Sequence, residues 1–537
     1  PLGIYAQAVS AAGNPLDSLP QMPGGASQPK PQVQITPPQQ STEFLAQKII
    51  PRQFDIVGVR SVPFESVAKI FAPLAGQPLT LAQIVETGSE ITRLYQKAGY
   101  ALSFAFVPPQ DFRNGAVKIT VVEGHIAHLR IEGDVGSSEE LLRELAAPLL
   151  VEKPLRTETF QHQTQLMMRI PGVRVLASAQ LPTTTDGATT LVLASSSQPF
   201  SISLGADLRQ RHSKAMATVI ANDVLGAGSQ LAATSLLRPW DEERFLAVSY
   251  RLWLNKQGSM LRVNASEYQQ TVKDGPGLVG IDDLTQQRRL DVSVQHPLRL
   301  DQSTSVMATV GVYGLNYRRG FAERASGAQI LTQEHVRALY TQLDWNSTQE
   351  QTQRNVSVTY VHGFNALGAG MERSTNFGVQ VEPNPAKTSF WRLVLDAGVR
   401  RSWVSRVGGA FSIGGQYSPM VLPIAERISF GSSRFGRGYQ AGEASGDSGI
   451  GGSVEINYSL DIKHQWLKHA QPYVLYEIAR TWQQHQGIPS AKLRSASIGI
   501  RLHNQRYYSV DVAIAKPLGD LAINNPTRRL RLSVLLT

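Results

Sequence analysis

From Phe200 to Thr537 the chain repeats one pattern about sixteen times: roughly ten residues alternating apolar with polar or small side chains, then a turn. In 200–209, Phe200, Ile202, Leu204, Ala206 and Leu208 share one face, while Ser201, Ser203, Asp207 and Arg209 share the other; Leu530, Leu532, Val534 and Leu536 close the chain in the same way. Side chains alternate across a strand, so each such run is oily on one side and wet on the other. A wall of these strands closed on itself leaves no unpaired backbone edge in a bilayer, and the ten-residue period is that of a transmembrane barrel. A water-soluble β-sandwich or propeller would alternate too, because one face of each strand is buried there as well.

The spacing favours the barrel. Sixteen strands are expected, the first near 200–209, the eleventh near 409–418, the thirteenth near 471–482 and the last near 528–537. Connections at 256–260, 299–302 and 504–506 are tight, whereas those at 272–286, 319–334, 365–390 and 419–447 are long. Outer-membrane barrels have short periplasmic turns and long outer loops, so the alternation puts both ends of a barrel over 199–537 in the periplasm. Trp253, Trp391 and Trp482, near strand ends, are expected in the interfacial belt.

Two smaller units with a different grammar precede the barrel, over 51–125 and 126–198. In the first, a strand at 54–59 is followed by helices at 65–71 and 81–98, then strands at 101–107 and 116–122. The longer helix carries Ile84, Ile91, Leu94 and Tyr95 on one stripe, starts at a Thr80/Gln83 capping box and stops at Gly99. The second repeats the order, with strands at 126–131, 173–181 and 189–194 and helices at 138–145 and 157–169. Residues 9–50 are rich in Pro, Gln, Ser and Gly and read as an extended linker. Ala6-Gln-Ala8 resembles the end of a signal-peptide cleavage site.

Composition narrows the chemistry. With no cysteine among 537 residues, neither a disulfide framework nor a thiolate metal site can form. No run of about twenty apolar residues predicts a transmembrane helix. The net charge of +10 comes without a Lys/Arg cluster interleaved with aromatics, so no nucleic-acid partner is expected. No HExxH, GxSxG or Walker pattern appears, and the Gly-rich stretch 366–372 falls in an outer loop rather than between a strand and a helix. Neither a metal, a cofactor nor enzymatic activity is expected.

Several motifs together resemble one family. Gly99-Tyr100, Pro108-Pro109 and Val121-Val-Glu-Gly124 look like the first of two periplasmic α+β POTRA domains; Ile170-Pro-Gly-Val173 and the segment from Asp186 to Leu193 look like the second. Two such domains before a sixteen-stranded membrane β-barrel resemble the TpsB transporters of two-partner (type Vb) secretion, the haemolysin secretion/activation family. The segment Ile428-Ser-Phe-Gly-Ser-Ser-Arg-Phe-Gly-Arg-Gly-Tyr439 is similar to that family's sixth-loop signature, an Arg-Gly-aromatic tripeptide on a loop (419–447) folded back into the barrel.

The resemblance implies that Phe435, Gly436, Arg437, Gly438 and Tyr439 form the loop tip. It also implies that an acid on the thirteenth strand, here Glu477, is the barrel-wall partner of Arg437. An arginine in a narrow lumen needs such a carboxylate, because an unpaired desolvated charge is costly. Parity agrees: Val474, Tyr476 and Ile478 face lipid, which turns Glu477 inward. Leu475, Glu477 and Ala479 stand where the family has Phe, Asp and Gly, and Gly436 stands where Val or Ile is usual. The implied function is an outer-membrane pore, expected to be monomeric, that recognises an unfolded TpsA exoprotein through its POTRA domains and secretes it. The alternative is an assembly factor of the same superfamily that inserts other barrels. Whether a short helix near Leu16–Leu19 plugs the pore is left open, since Gly and Pro crowd 9–28.

Overall fold

The computed structural model describes the strand Gln32–Gln34 and residues 45–537, apart from 113, 209–212, 276–277, 379–381, 404–405, 433, 485–489, 505–506 and 523–526. The cleavage-site resemblance and the plug question therefore lie outside the described residues.

The first unit forms a three-stranded sheet, ordered Gln53–Val57, Ala116–Val122, Phe104–Phe106, with helices Phe64–Phe71 and Leu81–Lys97. The capping box is present: the Thr80 hydroxyl accepts from the Gln83 N–H, and the Gln83 side chain accepts from the Thr80 N–H. The expected stripe buries Ile84, Ile91 and Tyr95 against Val117 and Ile119. The Val121–Gly124 motif has a local reason. Glu123 accepts from the Arg60 N–H at 2.9 Å, the Ser61 N–H at 2.7 Å, the Ser61 hydroxyl at 2.8 Å and the Tyr95 hydroxyl at 2.7 Å, tying the end of the last strand to the turn after the first.

The second unit has the same order. Strands His125–Glu132, Val173–Gln180 and Ala188–Ser197 pack on helices Glu139–Val151 and Thr157–Met167. The first helix runs six residues beyond the expected 145, through Pro148, because Leu145, Ala146 and Leu149 continue its buried stripe. Gln32–Gln34 of the linker adds parallel to Val173–Gln180, pairing Val33 with Ala179. The linker is extended there, as expected, and also covers one edge of the second sheet.

Sixteen antiparallel strands close the barrel: Phe200–Asp207, Lys214–Asn222, Gln230–Arg238, Glu243–Trp253, Met260–Gly275, Leu278–Leu300, Thr304–Glu323, Gln329–Gln349, Thr352–Gly363, Trp391–Ser402, Val407–Tyr417, Ser448–Tyr458, His469–Trp482, Ala491–His503, Ser509–Pro517 and Arg531–Leu536. The last strand pairs with the first through Ala206–Leu536 and Asp207–Leu535. Ile202, Leu204, Val292, Val310, Leu343, Val474 and Ile514 are exposed on the outer wall, as the alternation requires.

Three expectations change. Residues 272–286 and 319–334 are not long loops, because the fifth strand continues to Gly275, the sixth begins at Leu278, and the seventh and eighth continue to a short connection at 324–328. Beyond the membrane a paired strand has no lipid-facing side, so the apolar alternation that betrays strands inside the bilayer stops while the backbone pairing goes on. The inner wall is also not uniformly wet: Tyr313, Leu315, Tyr317, Phe321 and Val336 point inward and pack with Leu422 and Ile424. Finally, Trp253 is not a belt residue. It is buried between the barrel mouth and the second unit, in one cluster with Leu141, Leu166, Met260, Leu300 and Met307.

Candidate functional site

Between the eleventh and twelfth strands the chain turns into the lumen. Contacts to the wall begin at the loop's base. The Ile424 N–H donates to Glu334 at 2.8 Å, Glu426 pairs with Arg392 at 2.8 Å, and Asp447 accepts from the Leu422 N–H at 2.9 Å and faces Arg427 at 3.4 Å. These charged groups are buried: Glu426 and Asp447 face arginines, and Glu334 is hydrogen-bonded to the Ile424 N–H and the Asn384 amide. A hairpin of Ile428–Phe430 with Ala444–Gly446, buried along its whole length, then carries the tip.

At the tip each motif residue has a distinct seat. Phe435 packs against the wall where Gly414 and Gly451 face each other across the eleventh and twelfth strands; a Cβ at Gly451 would stand 2.5 Å from its ring. Gly inside a strand often marks such a close approach. Gly436 has φ +142°, a conformation that favours glycine, so Val at this position would be strained here. Gly438 passes so near the fifteenth strand that a Cβ would stand 2.7 Å from the Pro517 nitrogen. The Tyr439 hydroxyl donates to the Asp520 carbonyl at 3.1 Å and accepts from the Gly519 N–H at 2.9 Å.

Arg437 and Glu477 do meet, but not as the expected ion pair. Glu477 accepts the backbone N–H of Arg437 at 2.7 Å and the Ser495 hydroxyl at 2.8 Å. The guanidinium runs past it to the Tyr473 hydroxyl and to Asp511 at 3.5 Å, with both charged side chains largely buried. Tyr473 donates to Asp511 at 2.6 Å, and Arg501 stacks over the Tyr473 ring at 4.1 Å while pairing with Glu455 at 2.6 Å. The motif departures fit this seat: Ala479 packs in one cluster with Ile428, Phe430 and Tyr439, and Leu475 packs with Tyr473 and Ala513.

Sequence reasoning assigned no role to Tyr473 and missed Asp511 and the Arg434–Asp396 pair at 3.0 Å. Asp511 was legible. Ala513 and Ala515 are buried on its face while Ile514 is exposed, so it is an inward acid on a face of small residues.

With this geometry in place, comparison with known proteins decides the family. Residues 200–502, more than half of the chain, match the haemolysin secretion/activation protein family ShlB/FhaC/HecB, and residues 49–124 match the ShlB-type POTRA domain. The chain belongs to this family. The heme/hemopexin transporter protein HuxB of Haemophilus influenzae is 20% identical over 492 residues, covering 89% of this chain and 85% of the relative. In structure the chain is similar to CdiB from Escherichia coli, with TM-score 0.65, 16% identity and coverage of 93% and 92% of the two chains. It is also similar to BamA from Haemophilus ducreyi lacking POTRA domains 1–3, with TM-score 0.53, 13% identity and coverage of 91% and 99%. At these identities the structural likenesses establish the fold alone. The protein is thus an outer-membrane β-barrel of the two-partner secretion family, with its POTRA domain in the periplasm.

Proposed function

We propose that the protein exports one large exoprotein, taken up unfolded in the periplasm and released at the cell surface or into the medium. The carrying observation is the loop tip seated in the lumen, its Arg437 N–H on Glu477 and its guanidinium against Tyr473 and Asp511. A closed barrel gives an exported chain a path that spares its backbone polar groups from hydrocarbon. The loop narrows that path, so its seat is the element that transport must accommodate.

Capture in this reading is by strand addition to the periplasmic sheets, where main-chain hydrogen bonds supply affinity without a fixed sequence. The unit at 126–198 acts as a second POTRA domain. Gln32–Gln34 lies on its Val173–Gln180 edge, which leaves His125–Glu132 as the other edge, with Gln53–Val57 and Phe104–Phe106 at the edges of the first sheet. Outer-membrane export has no nucleotide supply, so folding of the exoprotein outside biases its motion.

The test is co-expression with a candidate large exoprotein, sought first among the genes beside this one, measuring its amount in medium and periplasm. Export that depends on the chain is the expected result. Export without it, with general loss of outer-membrane barrels on its deletion, would instead identify a barrel-assembly factor, the activity of other members of the superfamily.

A further inference from the structure

A groove of 560 Å³ opens on the outer, lipid-facing wall across the fourth to eighth strands. The register explains its form. One cross-strand row reads Leu246, Glu267, Arg288, Asn316; the next row toward the periplasm reads Val248, Ala265, Leu290, Gly314, Arg337; the one below reads Tyr250, Val263, Val292, Val312, Leu339. The lowest row is apolar and the highest is mostly polar. The middle row changes from one to the other, and its small residues Ala265 and Gly314 leave the floor low. Both barrel ends are periplasmic, so this apolar-to-polar step marks the outer-leaflet boundary.

Two cations line the step. Arg288 pairs with Glu267 at 2.9 Å, with side chains 74% and 54% exposed. Arg337 lies along Gly314, where a Cβ would stand 3.6 Å from its Cδ, and donates to the Asn316 side-chain oxygen at 3.0 Å, the Val336 carbonyl at 2.8 Å and the Leu367 carbonyl of an outer loop at 3.1 Å. Among the described residues its guanidinium meets neutral oxygens, not a carboxylate. Asn316 stands opposite Arg288 in the register and accepts from Arg337, so the two guanidinium groups flank one point of the wall. Exposed arginines on the outside of a barrel are tolerated at headgroup level and become costly toward the midplane.

We propose that this groove binds a phosphate-bearing lipid of the outer leaflet. Its acyl chains lie over Ala265 and Gly314, on either side of Leu290, and its phosphate accepts from Arg288 and Arg337. Guanidinium groups suit this task because their planar fork matches a phosphate's oxygens. The occupant is a lipid rather than a free anion because the groove continues downward into the apolar belt. The site depends on the membrane placement of the barrel and is independent of what the barrel exports.

The test uses the full chain in neutral detergent, titrated with diphosphoryl lipid A and followed by native mass spectrometry. Dephosphorylated lipid A and inorganic phosphate are run in parallel. The expected result is retention of diphosphoryl lipid A, about tenfold weaker binding of the dephosphorylated lipid, and a loss of similar size in the Arg288→Ala/Arg337→Ala double variant. Gly314→Leu fills the floor and keeps both charges, and it too should weaken lipid binding if the groove is the site. Equal retention of the dephosphorylated lipid would overturn the proposal, as would unchanged binding in both variants. Inorganic phosphate binding as tightly as the lipid would overturn it in favour of a simple anion site.

Discussion

At position 437 the backbone and the side chain are held by different partners, and substitutions can separate them. Glu477→Ala strands the Arg437 N–H and the Ser495 hydroxyl and should weaken seating of the loop by about 1–3 kcal/mol, with a milder effect for Glu477→Gln, which keeps an acceptor. Arg437→Ala leaves that N–H bond in place but removes the charge that faces Asp511. It is expected to abolish most export while the barrel still assembles and stays heat-modifiable. Export at wild-type level from Arg437→Ala would remove the loop tip from the mechanism. A charge exchange between 437 and 477 should not rescue, because their contact is through the backbone; exchange between 437 and 511 is the informative swap.

Glu123 offers a second residue-scale test, in the periplasm. Burial pushes its carboxyl upward, but hydrogen bonds from Tyr95, Ser61 and Arg60 outweigh burial and hold it below the usual range. A depressed carboxylate contributes stability that is fully present above the unfolded value of about 4.3 and is lost as pH falls through the lower folded value. Glu123→Gln should therefore increase hydrogen exchange across 49–124 at neutral pH. Only once the pH falls below the lowered folded value, under the unfolded value of about 4.3, should the variant and the parent converge; a difference that persists at still lower pH would show that the effect is not the carboxylate's charge.

At the scale of elements, the inward loop is a hairpin whose tip fits only because glycines lie on both sides of the contact. Gly414 and Gly451 on the wall receive Phe435, and Gly438 in the loop slides beneath the backbone at Lys516 and Pro517. Gly438→Ala puts a methyl against the hydrogen-bonded main chain at Lys516 and Pro517, so the loop should sit higher in the lumen. The expected signs are faster protease cleavage within 431–443 and a larger conductance in planar bilayers. Unchanged cleavage and conductance would mean that the fifteenth strand, rather than the loop, gives way.

For the whole molecule, the periplasmic part is joined to the barrel by packing as well as by the chain. Leu166 sits over the turn at Gly258, where a Cβ would stand 2.4 Å from its Cδ2, and Arg169 reaches Gln295 inside the mouth at 3.2 Å. Burial near Arg262 and Arg251 lowers the Arg169 guanidinium to about 10, still charged at neutral pH. Gly258→Ala should loosen this docking by about 1–3 kcal/mol, through overpacking and backbone strain at φ +83°. Limited proteolysis near residue 198 should then speed up while the barrel remains folded. An unchanged cleavage rate would assign the docking to the remaining cluster around Trp253.

Alternation and turn spacing alone determined the barrel, its sixteen strands, its direction in the membrane and the two α+β units before it, because lipid on one side and water on the other impose a period of two that any reader of the chain can count. The same parity turned Glu477 inward, and the resemblance to the family implied that the glycine-rich loop folds back into the barrel. The sequence could not say which atoms meet there. Which inward acid takes the guanidinium of Arg437 depends on how deep the loop sits, and that depth is set by Phe435 on Gly414 and Gly451, residues on strands distant from Asp511 in the chain. Tertiary structure likewise decided that the fifth to eighth strands outrun the membrane, that Trp253 faces protein rather than lipid, and that the linker lies along a sheet edge. In each case the deciding neighbour comes from another part of the chain, and a local pattern carries no record of it.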